Sequence, residues 1–221
     1  MYKFLTLYSV LVAAATIFSS PLRDDLAARG TSSTADRPYA AFVEYLESTG
    51  TQYIDTGITA TTAIRPSIGF LGKQVGEFFF GGGDSSSSGF GLRFRGYGNE
   101  TITVAWGWTK TLTYWNYQRA YPYDVVFFNS AGRMKLNNQG SNTLNFSETY
   151  SSTFALFGRN IGGIVTPCAV RIYYAKLGDL DLLPVRIGNE GFMLDTISGE
   201  LFANQGTGSF IVGPDIAPLD L

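Results

Sequence analysis

After residue 40 the chain consists of short runs in which apolar and polar residues alternate, separated by turn residues. Val170, Ile172 and Tyr174 occupy every second position near the C-terminus, and Phe90 and Leu92 do so in the middle of the chain. This period of two predicts strands with one buried face. No sustained helical period follows residue 40, and many short strands at close spacing indicate a sandwich or a barrel. The pattern therefore predicts an all-β fold.

The two ends of this region share one pattern of apolar and turn residues. Residues 42–57 and 170–215 both hold short apolar runs broken by Gly, Asn and Asp. We predict that these two segments pair in one antiparallel sheet and enclose a two-sheet β-sandwich. Residues 48–50 form a turn in the first segment, so 42–46 and 52–56 are either the arms of a hairpin or one strand with a sharp bend.

Four segments between these ends carry further signals. Because proline cannot donate a hydrogen bond to a neighbouring strand, we predict that the next strand lies at a sheet edge or begins after Pro66. The continuous apolar run at 123–128 predicts a central strand buried on both sides. The glycine and serine run at 81–89 predicts a flexible surface loop, and 159–163 predicts another loop. The glycine run lacks the Lys and the helix pattern of a phosphate-binding loop, so it indicates no nucleotide site.

The first forty residues differ in composition from the rest. Residues 1–20 hold Lys3 followed by an uncharged apolar stretch, which indicates a signal peptide and is short for a membrane span. Residues 21–40 are polar and predict a linker or a removed propeptide. An uncleaved N-terminal anchor is the alternative. After the linker we predict a β-sandwich over 41–216 and a C-terminal tail over 217–221. We expect the protein to be secreted or to lie at the cell surface.

Composition limits the chemistry that is available to the chain. It has 221 residues and no histidine, which removes the commonest metal ligand and the commonest general base. A net charge of -2 and a pI near 5.1 do not indicate the basic surface that binds nucleic acid. The single cysteine, Cys168, cannot form an internal disulfide and is predicted to be a small buried hydrophobe.

Several segments resemble the concanavalin A-like (laminin-G-like) jelly-roll domains, which occur in secreted bacterial proteins and in phage and mobile-element proteins. The resemblance is most specific at the two ends and rests on residues 44–57, 133–137, 154–158, 170–176, 183–186, 191–195 and 204–208. It implies a two-sheet antiparallel jelly roll whose first and last strands are adjacent. The wider superfamily includes glycan-binding lectins, protein-binding modules and glucanases, so the resemblance alone does not choose an activity.

A glucanase on this fold needs two carboxylates close together on one strand face. The sequence contains neither the Glu-x-Asp-x-Glu nor the Glu-x-Asp-x-x-Glu pattern that such enzymes carry. Glu44 and Glu47 are three residues apart and point to opposite faces of a strand. Asp179 and Asp181 lie in a turn-like stretch and are predicted to be solvated. We therefore predict no catalytic residues and no enzyme activity.

A lectin-like sandwich also suggests a calcium site, and such a site requires several oxygen ligands. Asp84 with its serine run, and Asp179 with Asp181, are the two candidate groups. Neither has the acidic density of a calcium site, so we predict no metal and no cofactor.

One dense group of aromatic and amide residues marks the candidate ligand site. Aromatic rings stack on the apolar faces of sugars, while amide and guanidinium groups bond to hydroxyls. The predicted ligand-binding residues are Trp108, Tyr114, Trp115, Asn116, Tyr117, Gln118 and Arg119. Packing in the core or between the sheets is the competing role for these aromatic residues, and it is the role predicted for Trp106.

The sequence thus predicts a non-catalytic, secreted or surface binding module. Its expected ligand is a glycan or a protein, and a carbohydrate ligand is the main expectation. The alternative is a structural or adhesive module of a fibre, envelope or virion, in which the aromatic residues serve assembly. We expect no nucleic-acid partner and no membrane span in the mature domain, and a homo-oligomer stays an open alternative.

Overall fold

The structure of the protein is a computed structural model. It describes residues 38–73, 76–95, 101–106, 110–114, 124–128, 133–136, 139–143 and 148–216, with side chains described in 38–73, 76–93 and 148–216. Within these ranges the regular elements are all strands, in two sheets, which confirms the predicted all-β sandwich. None of the described segments is a helix long and apolar enough to cross a membrane. The predicted leader, most of the linker and the C-terminal tail lie outside the described residues.

The first sheet, sheet A, contains twelve strands. They are β1 (Ala41–Val43), β2 (Leu46–Thr49), β4 (Ser67–Gly72), β9 (Asp124–Phe128), β10 (Arg133–Leu136), β11 (Gln139–Thr143), β15 (Ala169–Leu177), β16 (Leu180–Ile187), β17 (Glu190–Asp195), β18 (Leu201–Phe202), β19 (Ile211–Val212) and β20 (Asp215–Ile216). Its main path runs β11-β10-β9-β4-β15-β16-β1-β20. β9 lies between β10 and β4, which confirms its predicted central position, and β4 begins directly after Pro66, as predicted.

The second sheet, sheet B, contains eight strands. They are β3 (Ile54–Thr61), β5 (Phe78–Ser85), β6 (Ser88–Arg95), β7 (Thr101–Trp106), β8 (Lys110–Tyr114), β12 (Thr149–Leu156), β13 (Gly158–Ile161) and β14 (Ile164–Pro167). Its main path runs β14-β13-β5-β6-β7-β8, and β12 pairs with both β3 and β5. Strand pairing in the described ranges is antiparallel except between β13 and β5, which are parallel.

The two segments that resemble the jelly-roll ends pair with each other. β1 is antiparallel to β20, and β2 is antiparallel to β19. Before β19, the amide of Thr207 donates to the carbonyl of Thr51 at 3.0 Å, and the amide of Gln205 donates to the carbonyl of Tyr53 at 2.9 Å. A β-carbon on Gly206 would lie 2.0 Å from the carbonyl oxygen of Thr51, so this close approach requires glycine.

Residues 48–52 form a bend that carries the chain from sheet A to sheet B. β2 and β3 belong to different sheets, so the hairpin alternative is wrong and the bend alternative holds. The buried side chain of Gln52 stabilises this bend, since its Oε1 accepts bonds from the amide of Thr49 at 2.8 Å and from the hydroxyl of Ser48 at 3.2 Å. Its Nε2 donates to the carbonyl of Thr207 at 3.0 Å, which ties the bend to the C-terminal segment.

Phenylalanine rings from both sheets fill the space between them. Phe70 of β4 stacks on Phe79 of β5 with ring centroids 4.3 Å apart, and this contact joins the two sheets. Phe80 stacks on Phe154 at 4.7 Å and meets Phe90 edge-on at 6.3 Å. All five rings are buried, and full burial of each stabilises the fold by about 1.5–3 kcal/mol. The core therefore holds the sheets together without a disulfide.

Cys168 behaves as predicted for a small buried hydrophobe. It is a free cysteine and is buried. Burial raises the pKa of its thiol to about 12, so the reactive thiolate is scarce at neutral pH.

A β-bulge alters the predicted alternation in β15. Val170 and Ile172 are buried in the core, as predicted. The register of β15 against β4 shifts between Ile172 and Tyr174, and Ala175 continues the core set instead. Tyr174 is buried as well, but after the shift it pairs with Gly69. The prediction that it shares a face with Val170 and Ile172 was therefore wrong, because the extra residue of a bulge exchanges the faces of the residues that follow it.

Asp195 organises the turn that follows β17. Its Oδ1 accepts a bond from the amide of Asp181 at 2.9 Å, and its Oδ2 accepts bonds from the amide and hydroxyl of Ser198 at 3.0 and 2.6 Å. Asp181 is itself buried within β16 and lies 3.6 Å from the Lys176 ammonium. The prediction of a solvated turn carboxylate was therefore wrong for Asp181, because the preceding turn ends one residue before β16 begins.

Replacement of Asp195 by Asn is expected to lower stability in a pH-dependent way. Burial raises the pKa of Asp195, but the bonds from Ser198, Asp181 and Ile197 bring it below its ordinary value of 3.8. A lowered folded-state pKa means that the carboxylate stabilises the fold above pH 3.8, and that this contribution is lost as the pH falls through the folded-state pKa. Asp195→Asn should therefore reduce the free energy of unfolding by about 1–2 kcal/mol at neutral pH.

Urea unfolding at neutral pH and near pH 3 checks this expectation, because the difference between Asp195→Asn and wild type should shrink in acid. Asp179→Asn removes an exposed carboxylate from the neighbouring turn and should change stability by less than about 0.5 kcal/mol. An equally large loss for Asp195→Asn at both pH values would contradict a role for the charge.

Candidate functional site

The outer face of sheet B has an area without side chains where β5 meets β6. Phe80 and Phe90 of these strands point into the core, and successive strand residues point to opposite faces. The glycines that alternate with them therefore lie on the outer face. We call the surface formed by Gly81, Gly83, Gly89 and Gly91 the glycine face. In it Gly81 is paired with Gly91, and Gly83 with Gly89.

The flexible loop predicted over 81–89 was wrong, because most of it is paired strand. Only Ser86 and Ser87 form a turn between β5 and β6. Glycine weakens a strand when nothing else fixes it, but here the neighbouring phenylalanines anchor both strands in the core. Tertiary packing has thus overridden the local preference.

Arg159 lies directly on the glycine face. The chain reverses at Phe157, which has a φ of 60°, and β13 then runs parallel to β5. A β-carbon on Gly81 would lie 3.2 Å from Cγ of Arg159, and one on Gly89 would lie 2.5 Å from its Nη2. The arginine therefore occupies space that only glycines leave open. The loop predicted over 159–163 is the end of β13 followed by a two-residue turn.

The ring of Phe78 contacts two guanidinium groups. Its centroid is 4.6 Å from Cζ of Arg159 and 5.4 Å from Cζ of Arg93. Phe78 and Arg93 are paired across β5 and β6. A β-carbon on Gly91 would lie 2.7 Å from the ring of Phe78, so this ring also rests on the glycine face. One aromatic ring and two positive charges thus share this surface.

The charge of Arg159 is buried and poorly compensated. The side chain is 6% exposed, and its Nη2 reaches the carbonyl of Ser85 only at 3.4 Å. Its Nε has no hydrogen-bond partner among the described residues. Burial lowers the pKa of Arg159, and the like charge of Arg93 acts in the same direction. A buried ion costs several kcal/mol, whereas a desolvated cation–π contact contributes about 2 kcal/mol or somewhat more. The ring of Phe78 therefore offsets only part of the cost of burial.

Two carboxylates near the start of β12 are already engaged by other groups. Asp84 accepts bonds from the amide and the hydroxyl of Ser151 at 2.6 and 2.7 Å, and these bonds lower the pKa of Asp84. Glu148 accepts a bond from the hydroxyl of Tyr150 at 2.5 Å. Within the described side chains, neither carboxylate forms an ion pair with Arg159.

Arg171 on sheet A shows what a compensated arginine looks like in this protein. Its Nε and Nη2 lie 2.7 and 2.6 Å from Oε2 of Glu47, and its Cζ lies 3.7 Å from the ring centroid of Tyr45. Arg171 thus has both a carboxylate and an aromatic ring, whereas the described partners of Arg159 are the ring of Phe78 and one long bond to the carbonyl of Ser85.

The ligand-binding residues predicted from the sequence fall mostly outside the described residues. This holds for Trp108, Trp115, Asn116, Tyr117, Gln118 and Arg119. Tyr114 is the last residue of β8, and the structure describes its backbone. Trp106 ends β7, where it pairs with Phe90, and its side chain is likewise outside the described set.

The strand register nevertheless relates this predicted segment to the glycine face. One row of paired residues crosses sheet B from Phe78 through Arg93 and Thr103 to Thr113. Tyr114 follows Thr113 directly. At the usual spacing of neighbouring strands, Phe78 and Thr113 are about 14 Å apart. Tyr114, the last residue of β8, therefore lies next to the end of the row that carries Phe78 and Arg93.

The two candidate calcium groups have other contacts in the structure. Within the described residues, no cluster of three or more Cys, Asp or Glu side chains has a geometry suited to a metal ion. Asp84 is bonded to Ser151, and Asp181 lies beside Lys176.

Sequence reasoning missed Phe78, Arg93 and Arg159 as site residues. The available signal was the spacing of the glycines, which recur at every second position on two successive strand segments and so clear one face of a sheet. Arg159 had no comparable signal, since it reaches this face only through the reversal at Phe157.

Replacement of Arg159 by Met is expected to stabilise the protein. Methionine has a similar length and carries no charge, so it removes a buried, poorly compensated ion while it keeps the packing. The free energy of unfolding should rise by about 1 kcal/mol or more. The matched control, Arg171→Met, breaks a compensated pair and should lower it by about 2 kcal/mol. Denaturant unfolding measures both, and a loss above about 1 kcal/mol in Arg159→Met would show that the charge is already compensated.

Comparison of the chain with protein-family models, with curated proteins and with solved structures finds no match.

Proposed function

We propose that this chain is a non-catalytic, secreted or surface binding module of the concanavalin A-like jelly-roll type, and that it binds carbohydrate on the outer face of sheet B. The observation that carries this proposal is the glycine face with Phe78 and Arg159 on it. The glycines let these two side chains lie close against the strands, and the ring of Phe78 is partly exposed there. Ligand sites commonly combine such a surface with an aromatic ring and a few polar groups.

The predicted aromatic segment supports the same location. Tyr114, the first residue of this segment, follows Thr113 at the end of the row that holds Phe78 and Arg93. The aromatic and amide side chains of residues 114–119 supply the two kinds of contact that a sugar ring needs, namely a flat apolar surface and hydrogen-bonding groups. The glycine face and this segment together would form a site wide enough for an oligosaccharide.

The pairing of the chain ends supports the jelly-roll part of the proposal. In such folds the first and last strands lie side by side, and here β1 pairs with β20. The close contact of Gly206 with Thr51 occurs within the two segments that carry the resemblance.

A structural or adhesive module is the second candidate, and one feature favours it. Within the described residues, β14 pairs only with β13 and ends sheet B. Ile164 on this strand is 74% exposed. An open edge with an exposed apolar residue is a surface on which another strand can pair, so this candidate predicts self-association through β14.

Trp115→Ala is expected to weaken carbohydrate binding while the fold is kept. A glycan array identifies the ligands of the protein, and titration of the best ligand then compares the variants. Loss of one stacking ring should weaken binding by about tenfold. Tyr39→Ala, which removes a ring that packs on Phe42 beside sheet A, is the control and should bind as wild type does. Absence of binding to every glycan would contradict the proposed function, and unchanged binding by folded Trp115→Ala would remove that residue from the site.

A further inference from the structure

We propose that the glycine face selects acidic saccharides, and that Arg159 binds the carboxylate or sulfate group of the sugar. This inference rests on the proposed function, because it names the class of glycan that the site takes. It concerns residues outside the predicted aromatic segment, and it follows from the position and surroundings of one buried side chain.

The first argument is the missing partner of Arg159. A guanidinium has five N–H donors in a fixed fork, and in this protein one of them makes a single long bond to the carbonyl of Ser85. The Nε–H is buried without any acceptor. Buried polar groups in proteins are almost always bonded, so a buried donor without an acceptor indicates a place for a ligand atom.

The second argument is the sign of the local charge. Arg93 and Arg159 both contact the ring of Phe78, so two cations are held near each other on one surface. The chain as a whole carries a net charge of -2. Among the described residues Arg159 has no carboxylate partner, so its charge favours an anion at this place on the protein.

The third argument is the shape of the surface, which sets the chemistry of the anion. The arginine fork matches the paired oxygens of a carboxylate or a sulfate and bonds to two of them at once. The ring of Phe78, which contacts the guanidinium and is partly exposed, offers a flat apolar surface on which a sugar ring can stack. A sugar ring that carries such a group provides both features, as a uronic acid or as a sulfate ester.

The experiment measures binding by calorimetry with three oligosaccharides of similar length, which are oligogalacturonate, sulfated dextran and unmodified dextran. Inorganic sulfate is a fourth probe. Wild-type protein should bind one of the two acidic oligosaccharides and should not bind unmodified dextran. The choice between oligogalacturonate and sulfated dextran identifies the anionic group. Arg159→Met should weaken this binding by about 30-fold or more, because it removes a charge-assisted, two-pronged contact.

The control is Arg186→Met, which removes an arginine that is paired with Asp215 on sheet A and should change the affinity by less than about twofold. Arg159→Lys is the second variant, since it keeps the charge and loses the fork, and it should bind more weakly than wild type. The thermal transition of each variant establishes that it is folded.

Equal binding of an acidic oligosaccharide by wild type and Arg159→Met would overturn this inference and leave the proposed function standing. Binding of neutral saccharides alone would have the same consequence. Absence of binding to any saccharide, with or without an effect of inorganic sulfate, would overturn both the inference and the proposed function.

Discussion

The close contact between an arginine side chain and a bare stretch of backbone determines the character of one face of this protein. Arg159 can lie on β5 and β6 only because the residues beneath it are glycines, since a β-carbon on Gly89 would occupy the position of its Nη2. The contact buries a charge that the described residues compensate only with an aromatic ring and one long bond to a carbonyl oxygen. A chain that needed only stability would gain from an apolar residue at this place. The arrangement therefore has the features of a site in which stability is reduced for the sake of binding.

The rest of the fold positions this contact. Stacking of Phe70 on Phe79 fixes β5 against sheet A, and Phe80 and Phe90 keep the glycines on the opposite side. Phe157 adopts a positive φ, which is unfavourable for a residue with a side chain by about 1–2 kcal/mol. Its ring packs on Phe210 at 4.6 Å, so burial in the core compensates for the strain. The reversal that brings Arg159 over β5 is thus held by the same aromatic core that joins the sheets.

The sequence predicted those features of the fold that depend on local patterns. Alternation located most strands, and the shared texture of residues 42–57 and 170–215 pointed to segments that pair in sheet A. It failed where a long-range contact decided the outcome. The glycine run was assigned to a loop because glycine disfavours strands, but the phenylalanines beside it anchor it in a sheet. The bulge in β15 and the change of sheet after β2 also depend on partners that are distant in the sequence. For the same reason Arg159 could not be recognised as a site residue, because its position depends on the reversal at Phe157 and on glycines about seventy residues earlier in the chain.

The most direct test of the role of Arg159 is the NMR signal of its Nε–H group, assigned by its disappearance in Arg159→Lys. In the free protein this signal should show the chemical shift of a donor without an acceptor, and it should move to the shift of a strongly bonded donor when an acidic oligosaccharide is added. A signal that is already strongly bonded in the free protein, or that stays unchanged while the oligosaccharide binds, would contradict the assignment of this arginine to the ligand.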